Sequence, residues 1–185
     1  MKPVPAIFLD RDGVINKDDT SKDLGGGYGK EVLSKDDVEI YPEAHEFLEK
    51  AHKRGYKILV VTNQSKVNRG LITVDGLHEI HKHINGLLGG RIHSFYFCPH
   101  TKHETCDCRK PNTGMMKTAM KEHSIDLARS WLIGDKTGDI KAGNDMGVKT
   151  ILVRTGYGGR DAKHAAKPDY VVGNLKEAGE IIFRP

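Results

Sequence analysis

Short runs of apolar and β-branched residues alternate along this chain with longer stretches of helical period, and most of the runs stop at a polar residue. Parallel strands joined by crossover helices and buried on both faces produce that alternation. Strands are predicted at Val4–Leu9, Lys57–Val61, Ser94–Phe97, Ser130–Ile133, Thr150–Val153 and Tyr170–Val172. Helices are predicted at about 42–54, 74–88, 113–122 and 139–146. Pro42 suits a first helical turn, and Gly55 suits a helix C-terminus.

The fold class that follows is α/β, a Rossmann-like three-layer sandwich with a mainly parallel sheet. A chain of 185 residues can bury one sizeable core, so one domain over residues 1–185 is expected. In an open parallel sheet the carboxyl ends of the strands converge on one crevice, where ligands bind. The residues that follow the strands are therefore candidates to meet there: Asp10, then Thr62 and Asn63, then Cys98, then Gly134 and Asp135. Residues 17–35, with the glycine-rich Gly25–Gly29, break the alternation and read as a mobile flap. They lack the Lys-Ser/Thr pair that would make them a nucleotide phosphate loop. Only about 50 residues separate Asp10 from Thr62, and they include a crossover helix, so no cap domain is expected and the crevice should stay open.

The net charge of +4 is mild, and Lys and Arg are interspersed with acidic residues, which a small anionic substrate explains as readily as nucleic acid does. No apolar run approaches the roughly 18–20 residues that span a bilayer. MKPVPAIFLD reaches a charge too soon for a secretory signal. A cytoplasmic monomer with neither membrane nor nucleic-acid partner is expected. All three cysteines fall between positions 98 and 108. In a reducing compartment such a cluster suits a metal site better than a disulfide framework.

Two constellations carry chemistry. Asp10 and Asp12, two residues apart in DRDGVIN, repel one another unless a cation or a proton stands between them. Hard oxygen donors favour Mg²⁺, although DRDG alone is also compatible with an Asp-rich turn. Asp135 and Asp139 in GDKTGD add carboxylates, with Asp139 equally suited to cap a helix. Thr62, in VTNQS, adds a hydroxyl and a turn able to present N–H groups to an anion. The second constellation is Cys98-x-His100 and Cys106-x-Cys108, three thiolates and one imidazole suited to tetrahedral Zn²⁺, with His103 a rival for the fourth place. His78, His81 and His83 read as residues of a solvated helix face, and Trp131 reads as core.

DRDGVIN, VTNQS, RKP and GDKTGD, in this order, resemble the four motifs of the haloacid dehalogenase-like (HAD) phosphatase superfamily. With CPH and CDC ahead of RKP, the chain more narrowly resembles the D-glycero-D-manno-heptose 1,7-bisphosphate 7-phosphatases and the related histidinol phosphatases, from Ala6 to about Gly156. The resemblance implies that Asp10 is a nucleophile forming an aspartyl-phosphate and that Asp12 is the general acid and base. It implies Mg²⁺ on Asp10, the backbone carbonyl of Asp12 and Asp135, with Asp139 orienting Lys110 or a metal-bound water. Thr62 and Asn63 would hold phosphoryl oxygens, Lys110 would offset charge in the transition state, and Tyr28, Gln64, Ser65, Arg109 and Lys136 would contact the substrate. It selects His100 for a structural zinc in a loop spanning 98–108. The chain departs from the usual NQSGIARG at Lys66 and Asn68, and it carries a longer flap and a zinc loop as short as that of histidinol phosphatases. The expected substrate is a heptose bisphosphate, then histidinol phosphate or another small monoester.

Overall fold

A computed structural model describes residues 2–17 and 31–184. The glycine-rich centre of the predicted flap, including Tyr28, lies outside the described residues.

Six parallel strands form one sheet: β1 (Ala6–Leu9), β2 (Lys57–Asn63), β3 (Ser94–Cys98), β4 (Trp131–Gly134), β5 (Lys149–Val153) and β6 (Tyr170–Val172). Their order is β3-β2-β1-β4-β5-β6, so the chain steps outward from β1 to one edge and returns to build the other half. β1 pairs with both β2 and β4, in registers Leu9 to Val60 and Leu9 to Ile133. The crevice at the reversal therefore opens above the ends of β1, β2 and β4.

Alternate residues of each strand supply two cores. Ile7, Leu9, Ile58, Val60, Ile133 and Ile151 face one side. There they meet α1 (Pro42–Lys53), α2 (Val74–Leu87) and α5 (Leu175–Ile182). Ala6, Phe8, Leu59, Val61 and Leu132 face the other side and meet α3 (Gly114–Glu122). On that second face α4 (Thr137–Met146) packs on β4 and β5, closely enough that a Cβ on Gly143 would lie 2.4 Å from Thr150 Cγ2. α1 shows how such a helix is written: Ala44, Phe47, Leu48 and Ala51 make its buried stripe, Pro42 opens it and Gly55 follows it at φ +76°.

Several boundaries differ from the sequence-based expectation. β2 continues through Thr62 to Asn63 and β3 to Cys98, because these polar residues still complete the parallel ladder between the two strands. β1 starts at Ala6 since Pro5 has no N–H to give, leaving Val4 in an isolated bridge with Ile125. α4 starts at Thr137, and Asp139 is its third residue rather than its cap. α5 was not expected from periodicity, yet Asn174 accepts from Glu177 N (3.2 Å) while Glu177 Oε2 accepts from Gly173 N (2.7 Å). That is the Asn-x-x-Glu pattern of a helix start. His81 departs from the solvated-face reading: it is buried on α2 and stacks on Phe95 with ring centroids 4.5 Å apart. Burial pushes its imidazole down to about 3. Trp131 is core, as expected.

Leu48 is fully buried between α1 and the sheet. Leu48→Ala is expected to cost about 2–5 kcal/mol of stability, read as a lower midpoint of urea unfolding with an unchanged slope.

Candidate active site

The end of β1 sets the centre. Asp10 N donates to Ile133 O (2.9 Å), and the chain then turns tightly, with Ile15 N bonded to Arg11 O (2.8 Å) and Gly13 at φ +86°. Across the crevice the last residue of β4 is Gly134, which delivers Asp135. Gly13 and Gly156 both lie against Asp135: a Cβ on either would come within 2.4 Å of its Oδ2. Asp10, Asp135 and Asp139 are buried, and they bring oxygens within 4.8 Å of one another.

Lys110 makes that concentration of charge tolerable. Its Nζ lies 3.1 Å from Asp10 Oδ1, 2.7 Å from Asp139 Oδ1 and 2.6 Å from the Val61 carbonyl. Burial alone would lower the lysine pKa, but Asp10 and Asp139 more than offset it and the net shift is upward. Asp10 is shifted up, chiefly by burial and further by Asp139, with Lys110 opposing. The backbone of Lys110 is fixed by a reciprocal pair, Lys110 N to Asn63 Oδ1 (3.0 Å) and Asn63 Nδ2 to Lys110 O (3.1 Å). From the third position of α4, Asp139 also accepts from the backbone N–H of Lys136, the residue that precedes the helix, at 3.0 Å.

Asp12 faces a different set of partners. Arg11 grips its carboxylate through Nε and Nη2 (2.7–2.9 Å), Asn16 Nδ2 adds a bond at 3.0 Å and Gln64 Nε2 one at 2.8 Å. Burial would raise its pKa, but Arg11, Lys66 and Asn16 outweigh it and hold the carboxyl well below the usual range. Arg11 is fully buried, and nothing in the sequence reading singled it out. Gln64 corrects the expectation of a substrate contact. Its side chain is fully buried, with Nε2 also 2.7 Å from Thr62 Oγ1, so its amide is engaged by two protein groups beneath the cleft wall.

The cysteine loop gathers a second set of donors. Cys98 Sγ lies 3.6 Å from Cys106 Sγ and 3.5 Å from His100 Nδ1, which lies 3.3 Å from Cys108 Sγ. Two thiolates on a tetrahedral zinc at about 2.3 Å are separated by about 3.8 Å, so a soft tetrahedral ion fits these four groups. His103 stands apart from them and lines the cleft. The loop is tied to the centre: Cys98 O accepts from Gln64 N (2.7 Å), and Arg109 Nη1 donates to His100 O (2.8 Å).

A cleft of about 1080 Å³ joins these parts, and Asp10, Asp12, Thr62, Asn63, Ser65, Arg109, Lys110 and Lys136 all line it. One wall is residues 31 and 32, held by Lys66 Nζ on Val32 O (2.8 Å) and by Arg69 on both oxygens of Glu31 (2.9 Å each). Asn68 Nδ2 reaches the cysteine loop at Glu104 (2.8 Å). The opposite wall, residues 155–164, was legible only as glycines. Tyr157 N donates to Asp135 Oδ2 (2.7 Å) and its ring lies 4.6 Å from Lys136 Nζ, while Asp161 binds Thr137 N (2.9 Å) at the start of α4.

The carboxylate group suits a hard divalent cation. Asp135 Oδ1 is fully buried without a hydrogen bond, its nearest cation being Lys136 Nζ at 3.4 Å. Its pKa is pushed from 3.8 up to about 7, by burial first and then by Asp10 and Asp139 against Lys136. The folded protein thus holds this proton more tightly than the unfolded chain, and stability is lost as pH rises from about 4 to about 7. A divalent cation takes the proton's place, so Mg²⁺ is expected to raise the melting temperature more at pH 8 than at pH 5.5, measured by thermal melts with and without the ion.

The sequence profile of the HAD-hydrolase-like family matches residues 107–178. A D-glycero-beta-D-manno-heptose-1,7-bisphosphate 7-phosphatase of Helicobacter pylori strain J99 is 40% identical, the alignment covering 81% of this chain and 83% of that one. A D-glycero-D-manno-heptose-1,7-bisphosphate 7-phosphatase of Chlorobaculum tepidum is 32% identical over 100% of this chain and 98% of its own length. Among solved structures, the D,D-heptose 1,7-bisphosphate phosphatase of B. bronchiseptica, complexed with magnesium and phosphate, superposes with a TM-score of 0.82 at 28% identity, covering 99% of this chain and 98% of that one. With those relatives matched along most of its length, and with the four motifs meeting at the ends of β1, β2 and β4, this chain belongs to the heptose-1,7-bisphosphate 7-phosphatase family of HAD-like phosphatases.

Proposed function

We propose that this enzyme removes the 7-phosphate of D-glycero-D-manno-heptose 1,7-bisphosphate through a phosphorylated Asp10. The observation that carries the reading is the buried set of Asp10, Asp135, Asp139 and Lys110 at the carboxyl end of the sheet. Asp10 attacks phosphorus in line and forms the aspartyl-phosphate while the sugar alkoxide leaves. Lys110 and Thr62, with the Asn63 backbone, stabilise the charge spread over the phosphoryl oxygens. Asp12 protonates the leaving oxygen and then accepts a proton from the water that hydrolyses the intermediate. Its grip by Arg11, Asn16 and Gln64 favours the carboxylate, so protonating it requires those bonds to loosen as substrate enters. Asp10, the Asp12 carbonyl and Asp135 would hold Mg²⁺, with Asp139 orienting Lys110; the ion supplies charge neutralisation between nucleophile and phosphate.

Arg109, Lys136 and Ser65 line the cleft and supply contacts for the rest of a small, doubly anionic sugar. Cys98, His100, Cys106 and Cys108 hold a structural Zn²⁺ that aims Arg109 and Lys110. We take residues 1–185 as one catalytic unit working as a cytoplasmic monomer; among the described residues no helix is long and apolar enough to cross a membrane.

Initial-rate phosphate release with Mg²⁺, comparing both anomers of the heptose bisphosphate with histidinol phosphate, tests the substrate. One heptose anomer is expected to lead in kcat/KM by about 100-fold or more; equal, slow rates on all three would remove this assignment. Asp10→Asn is expected to lower kcat by at least about 10³-fold with the fold intact, as seen by circular dichroism. Stripping zinc with a thiol-competing chelator and restoring Mg²⁺ should lower kcat/KM by up to about 100-fold, since small misplacements of Lys110 suffice. Unchanged kinetics in the zinc-free enzyme would leave the loop without a role in positioning.

A further inference from the structure

We propose that Gln64 is a positioning residue that fixes the direction of the Thr62 hydroxyl, and that it does so from the same amide that holds Asp12. The inference rests on the reading of Thr62 as a ligand of the phosphoryl oxygens. Gln64 Nε2 has two protons and two acceptors in reach, Asp12 Oδ2 at 2.8 Å and Thr62 Oγ1 at 2.7 Å. Arg11 donates to both oxygens of Asp12 (2.7–2.9 Å) and Asn16 Nδ2 to Oδ1 (3.0 Å), so Asp12 is gripped as an acceptor and the Gln64 amide presents its nitrogen, not its oxygen, on this side. Thr62 Oγ1 consequently accepts from Gln64.

A hydroxyl has one proton, and the bond it accepts from Gln64 leaves that proton to be given elsewhere. Among the described residues Thr62 Oγ1 donates to no protein acceptor, while the residue, only 1% exposed, still lines the cleft. The proton is thereby directed at whatever anion sits beside Asp10. The Gln64 side chain is fully buried and its backbone N–H is bonded to Cys98 O at 2.7 Å, while its Oε1 has no hydrogen-bond partner among the described residues. One carboxamide thus bonds two motif residues from different parts of the sheet, Asp12 after β1 and Thr62 on β2.

A double-mutant cycle on inhibition by inorganic phosphate tests this, using the Mg²⁺-loaded enzyme with the heptose bisphosphate as reporter substrate. Gln64→Met, which keeps the volume and removes the amide, is expected to raise the phosphate inhibition constant about tenfold, and Thr62→Val to do the same. In the Thr62→Val background Gln64→Met should add less than about twofold, because it acts through a hydroxyl no longer present. Circular dichroism and melting curves establish that each variant is folded, and Gln64→Leu carries the same cycle if the methionine variant is not. A Gln64 effect of the same size in both backgrounds, with Thr62→Val itself weakening phosphate, overturns the positioning role alone. A Thr62→Val enzyme that binds phosphate normally overturns the ligand role of Thr62 and this inference with it.

Discussion

The ammonium of Lys110 is the interaction on which this site depends. Three carboxylates share a buried space at the carboxyl end of the sheet, and without a cation their mutual repulsion would add to the cost of removing each from water. Lys110 meets Asp10, Asp139 and the Val61 carbonyl at once, so all three of its protons have acceptors. The lysine is itself an expensive group to bury, and it stays charged because two of its partners are anions. The pairing fixes two of the carboxylates but leaves Asp135 with an unsatisfied oxygen, which is the opening a hard cation fits.

Placing Lys110 is the work of distant parts of the chain. Asn63 clasps its backbone from the end of β2, and Arg109 beside it is anchored to the carbonyl of His100 within the cysteine loop. The loop is too short to bury a core of its own, and it instead brings four potential metal donors within 4.8 Å of one another. Cys98 belongs to both systems, with a thiol in the donor cluster and a carbonyl bonded to Gln64. The cysteine cluster and the carboxylate centre are thus joined through a few backbone bonds.

Most of the fold was legible because parallel strands buried on both faces must be written as continuous apolar runs, and all six runs became strands of one sheet. The motif residues were legible for a related reason: they are the positions where those runs end. Asp10, Thr62, Asp135 and Lys110 do meet, and His100 rather than His103 stands with the three cysteines. What escaped was whatever depends on partners far apart in sequence. Arg11 is indistinguishable in sequence from a surface arginine until Asp12 turns back onto it, and His81 gives no sign of burial beyond its place on the apolar stripe of α2. Gln64 looked like a loop residue facing substrate because the extension of β2 and its bond to Cys98, which bury it, are tertiary facts. Tyr157 and Asp161 sit in a stretch whose only sequence signal is glycine, and their roles come from contacts with Asp135 and Thr137. α5 alone was readable and missed, through Asn174 and Glu177.

The groups at the centre of the cleft are seated on strand ends and cross-braced through the sheet, whereas the wall at residues 31 and 32 hangs from side chains of the segment after β2, Lys66 and Arg69. Asn68, from the same short segment, reaches the cysteine loop on the other side. Lys66 serves both the wall and the centre, holding the wall through Val32 O and helping to keep the Asp12 carboxyl below its usual range. Substitutions at Asn68 and Arg69 therefore alter the wall and its tie to the cysteine loop by themselves, whereas a substitution at Lys66 alters the wall and the reaction centre together.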